Sequence, residues 1–405
     1  MNENASEKSV RIAIIVAALG YFVDIYDLLL FSIVRIPSLN DLGVSELSTK
    51  EVGLHLLNVQ MIGMLIGGIF WGVLGDKKGR LSVLMGSILL YSVANILNGF
   101  VQTVQQYEVL RFVAGIGLAG ELGAGITLVS EIMGRRERGY GTMIVAGVGV
   151  LGAVAAALIS AIVHWRTAYF IGGGMGISLL FLRMGVLESG MFQKQGEDVS
   201  RGNFLVLFQS PARIARYLAC IFVGLPTWFI VGVLITLSPE FGKEMGVVGV
   251  TAGGAIMATY SGIAVGDFIS GWLSQIWESR RKVIALFLAL GAILILFFTQ
   301  SPALSLSGFY ALCFGLGVAA GYWALFVINA AEQFGTNIRA TVTTTAPNFV
   351  RGAVPLMSLS FLAVSKQYDM MNAARIVGVG TVIIAVISLL VLRETFAVDL
   401  DYVEK

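Results

Sequence analysis

Asp24 and Asp27 stand three residues apart in Gly20-Tyr-Phe-Val-Asp-Ile-Tyr-Asp27. On a helix that spacing presents both carboxylates on one face. The surrounding stretch, Val10 to Val34, is otherwise apolar and long enough to cross a bilayer. A charged group at the bilayer centre costs roughly 3 kcal/mol or more, so it is expected to face a cavity or a partner. The chemistry open to such a pair is proton uptake and release, or ion pairing. Glu121 and three arginines, Arg111, Arg183 and Arg351, are embedded in later apolar segments.

At a helix rise of about 1.5 Å per residue, Asp27 lies about 10 Å and Arg111 about 8 Å below the same face of the membrane, so they can meet. A carboxylate beside a guanidinium stays ionised, and one left alone in apolar surroundings takes up a proton. A pair that opens and closes could load and release a proton, although a permanent structural salt bridge gives the same sequence. Asp24 and Glu121 sit deeper. One suits the proton and the other a ligand, and the assignment stays open; the plainer alternative is two protonated carboxyls bonded to neighbouring helices. Arg351 lies mid-segment, and its planar, bidentate donor set suits a carboxylate or phosphate. Neutralisation by Asp24, Glu121 or another acid is the competing reading. Tyr21, Asn348, Tyr322 and Trp323 join Arg351 as candidate substrate contacts, with Tyr26, Trp228 and Tyr260 as further aromatic walls. Arg183, about one turn from its helix end, is expected to snorkel.

Membrane helices must position these groups. Of 405 residues, 57% are hydrophobic and 13% charged, about half the charge of a soluble domain. The composition therefore points to a polytopic membrane protein. Cys220, Cys313, His55 and His164 are isolated, without metal-ligand spacing. The first apolar segment is too long for a signal peptide and is expected to remain as a helix. Spanning-length segments fall at 10–34, 52–74, 82–102, 106–133, 140–163 and 165–187. After a polar stretch at 188–212 come 214–238, 247–276, 282–299, 304–331, 338–364 and 371–392.

With both termini on one side, only Arg35, Lys50, Arg166, Lys243, Lys366 and Arg375 of the 27 basic residues fall on the other, and three are embedded. The remaining eighteen share the side of the termini, which marks it as cytoplasmic. The halves echo each other at an offset of roughly 200 residues: Arg80 against Arg280, Gly115-Ile-Gly117 against Gly315-Leu-Gly317. The expected fold is an all-α membrane protein of twelve transmembrane helices in two pseudo-symmetric six-helix bundles. They occupy 1–187 and 213–405, joined by a cytoplasmic linker, 188–212, whose end is an interfacial amphipathic piece.

Gly72-Val-Leu-Gly-Asp76-Lys-Lys-Gly79-Arg80 resembles the signature loop of the major facilitator superfamily, and Arg111-x-x-x-Gly115-x-Gly117 resembles its fourth-helix motif. The resemblance spans nearly the whole chain. Asp24-x-Tyr-Asp27 and Gly117-x-x-Gly120-Glu121 with Ser130-Glu131 are similar to the branch of aromatic-acid, phosphate and metabolite proton symporters. Glu332-x-Phe-x-Thr336-x-x-Arg339 is similar to the loop before helix eleven of organic-ion transporters, and Arg351 matches by spacing the eleventh-helix arginine of organic-anion carriers. The fifth segment lacks the Gly-Pro motif of exporters. The resemblance implies a proton-coupling pair at Asp27 and Arg111, as in sugar porters. It also supports gating by the charges at the cytoplasmic helix ends, Asp76, Arg80, Glu131, Arg135, Glu332 and Arg339. Such charges can latch one conformation and part in the other.

Gly115-Ile-Gly-Leu-Ala-Gly120 matches the dinucleotide fingerprint in letters, but it lies inside an apolar segment with no strand before it. Small residues there let helices approach closely. No Walker loop is present, so transport is expected to be secondary. The expected function is proton-coupled symport of a small organic anion, a carboxylate or phosphate-bearing metabolite, by alternating access. Asp24, Asp27, Arg111 and Glu121 would handle the proton and Arg351 the anion. The alternative is a facilitator or exporter of a neutral or cationic metabolite or drug. The expected partners are a small-molecule substrate, protons and the lipid bilayer, with no enzyme activity, cofactor, metal or nucleic acid. A monomer in the plasma membrane, a bacterial inner membrane, completes the expectation.

Overall fold

The computed structural model describes residues 3–133, 138–183, 204–301 and 304–398, with side chains from residue 11 onward except at Thr127, Ser130, Glu131, Arg138 and Thr142. Eleven helices among the described residues are long and apolar enough to cross a membrane. They are α1 (Arg11–Asp41), α2 (Glu46–Lys78), α3 (Arg80–Asn98), α4 (Val104–Ile126), α5 (Met143–Ile162), α7 (Pro211–Ile235), α8 (Ala252–Ile276), α9 (Arg280–Gln300), α10 (Leu306–Glu332), α11 (Arg339–Val364) and α12 (Met370–Val391). The twelfth, α6 (Trp165–Leu182), opens on the polar Trp-Arg-Thr and packs against α1 and α3. The first span runs past its expected end at 34 to Asp41, so Arg35 lies within it.

Local sequence explains where the helices begin. Thr103, Thr251, Ser279, Ser305 and Asp369 each accept a hydrogen bond from a first-turn amide, satisfying one of the amides a helix start leaves free. Between α2 and α3 the chain turns on a single residue, Gly79, at φ +93°. A side chain is strained there, which accounts for the glycine in the signature loop.

Two six-helix bundles, α1–α6 and α7–α12, meet along two antiparallel seams, α2 on α11 and α5 on α8. The first seam is zipped over its whole length. At the end where both termini lie, Asp76 accepts from the amides of Ala340 and Thr341. Farther along, Gly123 of the fourth span lies so close to α11 that a Cβ there would come 2.5 Å from the Thr344 Cα. At the far end, Ser358 donates to Asn58 at 3.1 Å, and Arg35 of α1 pairs with Glu240 at 2.8 Å just beyond α7. The halves touch at both ends. This is an occluded arrangement.

Most of the expected linker, 188–212, lies outside the described residues. From Phe204 the chain forms a 3₁₀ turn to Phe208, with Leu205 and Phe208 exposed and Val206 and Leu207 buried.

Candidate functional site

Among the described residues, five spans are interrupted along their length; the fifth span breaks at Leu151. The fourth breaks at Ala119–Gly120 and resumes as Glu121–Ile132. The seventh carries a π-helical stretch, Ile230–Ile235. The tenth breaks at Gly321–Tyr322, and the eleventh at Ala353. Irregular backbone at membrane depth is tolerated only where protein or a cavity surrounds it. Between the halves lies a cavity of about 20 Å³, lined by Tyr21 and Ile25 from one half and Trp228, Tyr260, Trp323 and Arg351 from the other. That is room for about one water molecule. A substrate enters only when the halves separate.

Arg351 is buried, donates through Nη1 to Asn348 Oδ1 at 3.1 Å, and leaves Nε and Nη2 without partners. Its guanidinium sits 5.4 Å from the ring of Trp228 and 5.9 Å from that of Trp323. Cation–π attraction holds the group in place without using its N–H donors. Asn348 fixes it from behind, donating to the Ala119 carbonyl at the α4 break and to Thr344, both at 2.7 Å. One side chain of α11 thus joins the arginine to the opposite half.

A different embedded arginine is the main counter-charge of each of the three buried acids, and only one of the three forms a closed ion pair. Glu121 and Arg183 form a closed, fully buried bidentate pair, and Arg183 also donates to Leu84 O at 2.7 Å. Gly20 leaves the space for it, since a Cβ there would strike the Arg183 guanidinium. The expectation that Arg183 snorkels is therefore corrected: it turns inward, because an ion-pair partner lies inside the bundle and none is needed from the interface. Asp27 and Arg111 are both buried, and Arg111 is the cation acting on Asp27. Yet neither Asp27 oxygen makes a hydrogen bond of good geometry, although Asn95 also acts on it, and Arg111 donates to Asn95 at 2.8 Å and lies 5.0 Å from the Tyr169 ring. Asp24 is also buried with both oxygens unpartnered, and the cation acting on it most strongly is Arg351.

Of the candidate substrate contacts, Tyr21, Trp323 and Arg351 line the cavity, with Asn348 directly behind. Tyr322 is turned away: its hydroxyl donates to Val223 O at 2.8 Å and its ring packs on Phe287. At the end holding the termini, Asp76 and Arg80 are 3.6 Å apart, and Glu332 pairs with Arg280 at 3.3 Å. Arg339 begins α11 and reaches the Ala331 carbonyl. The Glu131 side chain and Arg135 lie outside the described residues.

Sequence reasoning passed over three groups. Asp267 of α8, buried beside the α10 break, accepts from the Ala324 amide; an acid inside an apolar span was its signal. The Arg35–Glu240 pair was hidden because Glu240 follows the end of an apolar run. Asn95, the acceptor for Arg111, carries no charge to draw attention.

Two six-helix bundles around a buried, charged cavity closed at both ends define a multi-pass membrane transport protein. A family model described as Major Facilitator Superfamily matches residues 13–353, and the chain belongs to that superfamily. It is 30% identical over 347 residues to a Haemophilus influenzae protein named for metabolite transport, covering 81% of this chain and 83% of that one. It is 26% identical over 344 residues to a gentisate transporter of Corynebacterium glutamicum, covering 80% and 74% of the two chains. Among solved structures, the proton:xylose symporter XylE superposes with a TM-score of 0.76 over 98% of both chains at 16% identity, which speaks to the fold.

Proposed function

We propose that the protein is a proton-coupled symporter of a small, planar organic acid, acting by alternating access. The observation that carries this reading is Arg351: a buried guanidinium at the cavity shared by both halves, braced by two indole rings, with two nitrogens left without partners. A carboxylate fits such a fork. The aromatic rings of Tyr21, Trp228, Tyr260 and Trp323 suit a flat, conjugated body, and a relative named for gentisate transport is in keeping with that. An anion arriving at Arg351 competes with the field of Asp24, whose unpartnered carboxylate then takes a proton. Asp27 facing Arg111 offers a second protonation point, and the Glu121–Arg183 pair holds the proton-handling helices together.

In the orientation set by the basic residues, both termini are cytoplasmic, the membrane is a bacterial inner membrane, and the working unit is a monomer. The charges around Asp76, Arg80, Glu131, Arg135, Glu332 and Arg339 form the cytoplasmic gate. Proton and acid bind together from outside, the halves close over them, and both leave into lower proton activity.

Thermal unfolding of purified protein tests the substrate. Gentisate, benzoate, an aliphatic acid, xylose and an organic cation are offered to wild type and Arg351→Ala. A ligand at a hundredfold its Kd stabilises by about 2.7 kcal/mol. Aromatic acids should raise the unfolding temperature of wild type only. A response limited to sugars or cations, or equal acid responses from both proteins, would refute the anion site. In proteoliposomes, gentisate uptake indifferent to an imposed pH gradient would refute the coupling.

A further inference from the structure

The tenth span is two helices on a pivot. Its second half, Trp323–Glu332, is a continuous helical rod of ten residues, about 15 Å long. One end presents Trp323 to the cavity, 5.9 Å from Arg351. The other presents Glu332 to Arg280 and to the Thr395 hydroxyl, which donates to it at 2.8 Å. The rod therefore links the cavity to the charge network at the end holding the termini.

The neighbouring α8 grips both sides of the break. Ser270 Oγ donates to the Gly321 carbonyl at 2.8 Å, and Asp267 Oδ1 accepts from the Ala324 amide at 3.0 Å. Between these bonds the two backbones touch, since a Cβ on Gly321 would come 2.5 Å from the Gly266 Cα. Asp267 is fully buried, and no ion pair among the described residues includes it. Its counter-charge is the N-terminus of the rod, where helix dipole and free amides favour an anion. Its Oδ2 makes no hydrogen bond of good geometry, and the Trp323 amide also faces the carboxylate. Oδ2 leaves an acceptor ready for another first-turn amide when the rod shifts.

We propose that Asp267 is a positioning residue of the transport cycle: it clamps the N-terminus of the Trp323–Glu332 rod, so that Trp323 over Arg351 and Glu332 on Arg280 move as one. This rests on the reading of the Arg351 cavity as the transport site. Asp267 touches no substrate. It acts through Trp323 at one end and Glu332 at the other.

The test places a reporter cysteine on the rod, Ala331→Cys, at a position 3% exposed. The native Cys220 and Cys313 are buried and give the blank. A membrane-impermeant maleimide is added from the side of the termini to the full chain in membrane vesicles. Losing a hydrogen bond to a charged acceptor is worth about tenfold or more in such an equilibrium. Labelling should rise by at least about tenfold in D267A, whereas D267N, which keeps an accepting oxygen but loses the charge, should fall between D267A and the parent. If D267A does not fold, D267L fills the space without an acceptor and carries the same expectation. Equal labelling of the parent and the acceptor-less variant overturns the proposal. The labelling needs no ligand. If adding gentisate leaves the parent's rate unchanged while the D267A difference persists, the anion reading fails and the clamp stands.

Discussion

Asp76 of α2 accepts hydrogen bonds from the Ala340 amide at 3.2 Å, the Thr341 amide at 2.8 Å and the Thr341 hydroxyl at 2.6 Å. A carboxylate of one half thereby caps the first turn of a helix in the other. Helix starts leave amides unsatisfied and favour negative charge, so this contact combines hydrogen bonding with the helix dipole. It exists only while the halves are closed at this end. Removing a capping side chain costs about 1 kcal/mol, and a charged cap more. Asp76→Ala should therefore shift the protein towards a form open at this end by about tenfold, with Asp76→Asn milder. Distances between spin labels on the two halves measure the shift. Unchanged distance distributions in Asp76→Ala would mean that the cap does not hold the closed state.

The opposite end has its own latch. Arg35 is fully buried in α1 and donates to Glu240 Oε1 at 2.8 Å. Its Nε and Nη1 have no partner. Neutralising Glu240 leaves that guanidinium buried and uncompensated, the situation in which losses are large. Glu240→Gln should open the far end and slow transport, and the charge exchange Arg35→Glu with Glu240→Arg should recover part of the loss. A double-mutant cycle measures the coupling, expected at about 1–3 kcal/mol. Strict additivity of the two single changes would refute the latch.

The two-bundle fold was legible because hydropathy, the one-sided distribution of Lys and Arg, and the repeat of Arg80 in Arg280 all constrain it together. That Arg351 faces the cavity between the halves was legible because a mid-membrane guanidinium needs a polar space or a partner. What stayed hidden depends on rotation about helix axes. Arg183 lies one turn from a helix end, and its neighbours in sequence do not say whether it points outward or at Glu121. Tyr322 and Trp323 are adjacent, yet the α10 break sends one to Val223 and the other to the cavity. Asp267 went unnoticed for the same reason: its partner is a backbone amide freed by a break that composition does not reveal.

Glu394 gives a pH dependence outside the membrane-spanning segments. Partial burial pushes its carboxyl up, but hydrogen bonds from the Ser279 hydroxyl and the amides of Arg280, Phe396 and Arg281 outweigh this and hold it below the usual range. Its folded value is thus depressed relative to the unfolded chain. The stability it contributes is fully present above the unfolded carboxylate value and is lost as pH falls through the folded one. The difference in unfolding temperature between wild type and Glu394→Gln should be constant from neutral pH down to the ordinary glutamate range, then shrink below it. A difference that grows on acidification would contradict the assignment.

The three acid–arginine pairs differ in closure, so neutralising each acid should give a different result. Glu121 is locked to Arg183, and removing one member of a buried pair costs about 3–5 kcal/mol. Glu121→Ala should therefore unfold at much lower temperature, and Glu121→Leu with Arg183→Met should restore most of the loss. Asp24 has no hydrogen-bond partner for either oxygen. A buried carboxylate without hydrogen bonds is a liability to the fold, so Asp24→Asn should leave stability unchanged or raise it. If the proposed symport holds, its effect should fall on function: exchange of the acid across the membrane persists, while accumulation against a gradient driven by pH is lost. Asp27 faces Arg111 without a bond and should lie between these extremes. If Asp24→Asn destabilises as much as Glu121→Ala while accumulation survives, Asp24 is structural and the proton is carried elsewhere.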